Sequence, residues 1–207
     1  MRLEERFALA FTTLFHPLLI PTLGIFILFH LNTYIAFSVT PEARRFIILI
    51  VFINTAIAPV LSFIIMKKTG YIKDYNLTER SERILPLLVA TALFFITYYM
   101  LRQLPLPSLV YFYVISATLL LLLTMMVSFF WKISIHMVSL GGFTGFLIII
   151  TLLLRTDINW LIVLAFLASG LAGSSRLILK AHSPAQVYAG YLMGLSAMMA
   201  FYIYFSN

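Results

Sequence analysis

The strongest constraint on this chain is where its charges are missing. All 14 Lys and Arg and all 7 Asp and Glu fall outside seven apolar runs: Phe7–His30, Phe46–Met66, Ile84–Leu101, Leu109–Trp131, Ile133–Leu154, Ile158–Ala172 and Val187–Phe205. A helix needs about 20 apolar residues to cross the hydrocarbon core, within a range of about 17–25. Most of the runs meet that. Ile158–Ala172 is shorter and reaches Ser175 only through small residues; such a run still spans when its ends are buried in protein. The runs are continuous rather than alternating, which favours helices over a barrel. The expected fold is all-α, a polytopic transmembrane bundle of about seven helices.

Composition excludes a soluble domain. Hydrophobic residues make up 62% and charged residues 10%, against about 25% charged in ordinary soluble domains. No linker-like segment or internal repeat divides the chain, so residues 1–207 read as a single integral membrane domain. The first run is too long for a signal-peptide core and follows Glu4 and Glu5, so it is expected to stay as the first helix. The absence of Cys removes disulfides, thiolate chemistry and Cys-ligated metals. A formal charge of +7 suits anionic lipid or a phosphate substrate. Nucleic acid is not expected as a partner, because no soluble basic face exists to dock it.

Seven spans place the N-terminus and the second, fourth and sixth loops on one side. That side carries ten Lys and Arg (Arg2, Arg6, Lys67, Lys68, Lys73, Arg80, Arg83, Lys132, Arg176 and Lys180) against four on the other (Arg44, Arg45, Arg102 and Arg155). Such a count normally marks the cytoplasmic side. Setting aside Lys73, Arg80, Arg83 and Arg176 as residues of an anion site leaves six against four, which decides nothing. The more informative point is that three polar stretches, Lys73–Pro86, Trp131–Gly145 and Ser174–Gly194, all meet this face.

In the third stretch, Pro184 suits the first turn of a helix, Ser183 is a good N-cap, and Gln186 three residues later completes a capping box. His182 therefore sits beside a helix N-terminus, a position that attracts anions, with Arg176 six residues before it. Ser175-Arg176, five residues, His182, three residues and Gln186 resembles the third motif of the type 2 phosphatidic acid phosphatase family, Ser-Arg-x5-His-x3-Asp. The flanks His182-Ser183-Pro184-Ala185-Gln186-Val187-Tyr188-Ala189-Gly190 are similar to the family's His-x-Pro-x-Asp-Val-x-Ala-Gly. The departure is Gln186 in place of Asp. Ser134 and His136 match the family's second motif, Pro-Ser-Gly-His, where Ile133 and Ile135 do not. Lys73 and Arg80 have the spacing of the first motif, Lys-x6-Arg-Pro, but Ser81 follows Arg80; a shifted reading takes Arg83 with Pro86.

The resemblance covers residues 73–194 and implies a six-helix phosphatase-like core. It implies His182 as a nucleophile that becomes a phosphohistidine and His136 as the acid that protonates the leaving oxygen. Gln186 stands where the family's Asp holds the nucleophile's ring. Lys73, Arg80 or Arg83, Ser134, Ser175 and Arg176 are the phosphate-binding group. The implied reaction is hydrolysis of a lipid phosphate or diphosphate with no metal and no other cofactor. The implied setting is a bacterial inner membrane, with the site on the periplasmic side and a membrane lipid phosphate as substrate; a homo-oligomer is left open. Because Gln186 brings no charge, an alternative stands beside catalysis: a member that binds anionic headgroups without turnover. His16-Pro17 and Pro21 in the first run, and Asn54 and Pro59 in the second, read as kink or packing positions. Gly141-x3-Gly145 and Gly190-x3-Gly194 read as close helix contacts.

Overall fold

The computed structural model describes residues 2–73 and 81–206. Among the described residues, seven helical stretches are long and apolar enough to cross a membrane: Leu3–His30, Pro41–Lys68, Glu82–Arg102, Ser108–Phe130, Ile135–Leu154, Asn159–Ile178 and Pro184–Phe205. No strand occurs among the described residues. The chain is an integral membrane protein with the expected all-α, polytopic architecture.

Proline shapes the first two spans. The first consists of α1 (Leu3–Leu14), a 3-10 turn over Pro17–Leu19, and α2 (Ile20–His30). The Phe15 N–H closes α1 on the Phe11 carbonyl at 3.0 Å, and Pro17 has no N–H with which to continue the ladder. After the short turn α3 (Tyr34–Phe37), the second span runs through α4 (Pro41–Phe52), one π turn (Ile53–Ile57) and α5 (Ala58–Lys68). Pro59 cannot donate to the carbonyl four residues back, and the Ala58 N–H reaches Ile53 O to form the wide turn. Asn54 lies in that turn, with Nδ2 3.6 Å from Met100 Sδ. The remaining spans are α6 (Ser81–Arg102), α7 (Ser108–Phe130), α8 (Ile135–Leu154), α9 (Asn159–Ile178) and α10 (Pro184–Ser206).

Two compact units form, Met1–Ile20 with Ile133–Asn207, and Pro21–Lys132. In the second unit α6 packs along α7 and α5 against α6. Gly24 lets the buried Tyr113 ring lie flush against the α2 backbone, because a Cβ there would overlap it.

In the first unit α8 packs on α9, α10 and the 3-10 turn, while α1 packs on α9. The α8–α10 contact is made by glycine. A Cβ on Gly141 would overlap the Tyr191 carbonyl, and one on Gly194 would overlap the Val138 carbonyl. A Cβ on Gly190 would stand 2.9 Å from Ser134 O. Bare backbones therefore touch, as the small-x3-small pattern anticipates. Gly170 on α9 has open space around it. Overpacking a close contact costs about 1–3 kcal/mol, and replacing a helical Gly by Ala returns about 1 kcal/mol. Both atoms in the Gly194 contact belong to backbone and cannot rotate away. Gly194→Ala is therefore expected to lower the thermal midpoint of the purified protein, and Gly170→Ala to leave it level or raise it, as read by thermal unfolding in one detergent.

Candidate functional site

The start of α10 is built as its sequence suggests. The Gln186 N–H points to Ser183 Oγ at 3.4 Å, and Gln186 Oε1 accepts the Ser183 N–H at 3.1 Å. The same oxygen lies 3.2 Å from His182 Nδ1. These contacts fix the chemistry of the ring. The Ser183 backbone N–H can only donate, so the Gln186 side-chain atom facing it must be the carbonyl oxygen. An oxygen cannot donate to Nδ1, so Nδ1 carries the hydrogen and, in the neutral ring, Nε2 carries the lone pair. Gln186 is at once the helix cap and the group that sets the His182 tautomer.

The turn before α10 places Arg176 near this end of the unit. Lys180 adopts a left-handed conformation (φ 50), and the Ala181 N–H then caps the Arg176 carbonyl at 3.1 Å. Arg176 Nε is buried and has no hydrogen-bond partner among the described residues. Its neighbour Ser175 donates its hydroxyl to the Leu171 carbonyl at 2.7 Å, within α9.

Ser134 and His136 open α8. The Ser134 N–H reaches the Gln186 carbonyl at 3.4 Å, which ties this loop to α10. Ser134 is 0% exposed, and its hydroxyl neither caps α8 nor finds another partner among the described residues. His136 Nε2 lies 3.3 Å from the Thr12 carbonyl, near the end of α1. A carbonyl only accepts, so His136 Nε2 donates and its Nδ1 holds the lone pair in the neutral ring.

Sequence spacing did not place His16 in this group. It caps the 3-10 turn, with Nδ1 accepting the Leu18 N–H at 3.4 Å. Its ring meets His136 edge-on, with centroids 5.5 Å apart and planes at 79°. Arg176 lies within electrostatic reach of both His16 and His136, and His182 within reach of His136. The signal available in the sequence was a third imidazole inside a proline-broken span, but nothing in the spacing said which helix it faced.

Lys73 and Arg83 belong to the second unit. The Lys73 N–H donates to Glu82 Oε1 at 3.1 Å. Glu82 and Arg83 are buried there, at 9% and 3% exposure, rather than forming a solvated surface. Arg80 lies outside the described residues. Among the described residues no three His, Cys, Asp or Glu side chains are grouped so as to hold a metal ion. No family model, no curated protein and no solved structure matches the chain.

The tautomer argument has a direct readout. Nitrogen-15 spectra of histidine-labelled protein are expected to show His182 as the Nδ1–H form. In Gln186→Leu, which removes the acceptor, that signal should lose its preference. An unchanged spectrum would show that another group holds the ring.

Proposed function

We propose that the protein hydrolyses a lipid phosphate or lipid diphosphate at the membrane boundary through a phosphohistidine on His182. The observation that carries this reading is the His182 ring, held with its lone pair on Nε2 in the same unit as Arg176, Ser134 and a second imidazole, His136. In the first step Nε2 forms a bond to phosphorus and the bond from phosphorus to the leaving oxygen breaks. His136 takes up a proton on Nδ1 together with the anionic substrate, gives it to that oxygen, and is left as the neutral Nε2–H ring bonded to Thr12. A water then attacks phosphorus, the N–P bond breaks, and His136 Nδ1 takes the proton released by the water. Arg176 and the Ser134 hydroxyl supply donors to the phosphoryl oxygens, whose charge grows in the transition state.

The cationic first-motif residues Lys73, Arg83 and Arg80 belong to the same proposal as phosphate ligands, on the strength of their spacing alone. The resemblance also supplies the setting: a bacterial cytoplasmic membrane, the site toward the periplasm and no metal requirement. A reporter fused to the C-terminus tests the orientation.

A second reading, binding of anionic headgroups without turnover, is favoured by one observation. Gln186 orients His182 but brings no negative charge to stabilise a phosphorylated, positively charged ring. Removing the charge of an orienting partner costs about 10⁴ in kcat in a well-studied triad.

Purified protein incubated with a lipid phosphate and a chelator is expected to release inorganic phosphate. His182→Ala should abolish the release, and His136→Ala should reduce it by about 10²–10⁴. Bound lipid without release in the parent protein would select the second reading. Gln186→Glu keeps the capping box, where Glu and Gln are equivalent, and adds the missing charge. It is expected to raise kcat at least about tenfold, well within the range that a charged partner supplies. A lower or equal kcat would show that the amide is not the limiting feature.

A further inference from the structure

The second unit contains a groove that the proposed reaction does not use. It has a volume of about 370 Å³ and lies between α2 and α4. The first and second spans are joined at two levels beside it. At one level Thr22 Oγ1 meets Thr55 Oγ1 at 3.5 Å. At the other, Arg44 donates from Nε to the Val39 carbonyl at 2.8 Å and from Nη1 to the Phe29 carbonyl at 3.3 Å. Between these ties the walls are Phe26, Ile48, Leu49 and Phe52. Phe26 and Leu49 are 47% and 52% exposed within membrane-spanning segments.

The mouth has a different chemistry. His30 and Arg45 line it, at the end of the first span and near the start of the second, and no acidic residue lines the groove. The His30 ring is fixed by stacking on Phe26 at 4.0 Å and by Nδ1 lying 2.7 Å from the Phe26 carbonyl. Its Nε2 is therefore an acceptor in the neutral ring. Arg44 is committed to backbone carbonyls, whereas Arg45 is exposed at the groove. An apolar slot running along two helices, with a guanidinium and a hydrogen-bond acceptor at its headgroup end, has the shape and charge of one phospholipid. The acyl chain matches the walls, the phosphate matches Arg45, and a headgroup hydroxyl matches His30 Nε2.

We infer that this groove is a binding site for a single anionic phospholipid of the bilayer, held by Arg45 and His30 at its headgroup and by the α2–α4 walls along one acyl chain. The site is independent of the reaction proposed above, because none of its residues belongs to that machinery.

The test is a local one. Full-length protein carrying Phe52→Trp, with Trp131→Phe and Trp160→Phe, reports only on the groove. It is reconstituted in bilayers of phosphatidylcholine and phosphatidylglycerol, one or the other brominated in its chains, and quenching of the single remaining indole gives their relative binding constant in the groove. Phosphatidylglycerol is expected to bind about fivefold more strongly, the scale of one basic residue near an anionic surface. Arg45→Gln should bring the ratio close to one, and Arg45→Lys should keep most of it. A ratio near one in the reporter protein, or a preference undiminished in Arg45→Gln, would overturn the assignment. So would a lack of quenching by either lipid, which would mean that protein covers the groove. Quenching by phosphatidylcholine retained in Arg45→Gln shows that the variant is folded, so its loss of selectivity counts.

Discussion

A backbone carbonyl at the broken end of the first helix holds the second imidazole of the candidate site. Inside a bilayer every backbone polar group needs a partner from the protein, and helix ends leave such groups open. The α1 ladder closes at Phe15, and the Thr12 carbonyl takes the His136 ring. The same logic recurs at α10. The Ser183 N–H and the His182 ring share one Gln186 oxygen, and the Gln186 carbonyl takes the Ser134 N–H. The site is assembled from the groups that helix termini cannot satisfy themselves, so proline positions and helix caps determine where the imidazoles stand.

The glycine contact between α8 and α10 gives that arrangement its precision. Side chains can move around one another, but two backbones in contact cannot. With Gly190 seated against the Ser134 carbonyl, the openings of α8 and α10 are held in register. Ser134 to His136 and His182 to Gln186 belong to these two openings, so a shift of either helix along the other would separate them. The packing motif and the polar motif overlap in sequence for this reason: Gly190 lies four residues after Gln186.

The spans were legible because a buried charge is expensive in hydrocarbon, so the charge-free runs had to be the helices. The α10 cap was legible because Ser183, Pro184 and Gln186 each suit one position of a helix start. Pro59 read as a kink or packing position, and its missing donor appears in the structure as the π turn over Ile53–Ile57. What spacing did not show is how a donor is already used. Ser175 sits in the matching motif position, yet its hydroxyl serves the Leu171 carbonyl, as helical serines commonly do. His16 carried no motif and was placed by the break in its helix, a tertiary consequence. Lys73 and Arg83, expected from their spacing as phosphate ligands, fold with the second unit.

The energetics of two side chains bear on what the first unit is built to hold. Arg176 Nε and the Ser134 hydroxyl are buried donors without a partner among the described residues. A buried donor left unsatisfied costs about 1–3 kcal/mol, and more when charged. In the proposed reading a ligand satisfies both groups, and a matching ligand accepts several hydrogen bonds and carries negative charge. A phosphoryl group does both. A neutral headgroup offers fewer acceptors and no charge, and a cation would be repelled by Arg176. The two donors and the His182 lone pair thus enter the proposed reading by separate routes, one through the energy of burial and one through hydrogen-bond direction.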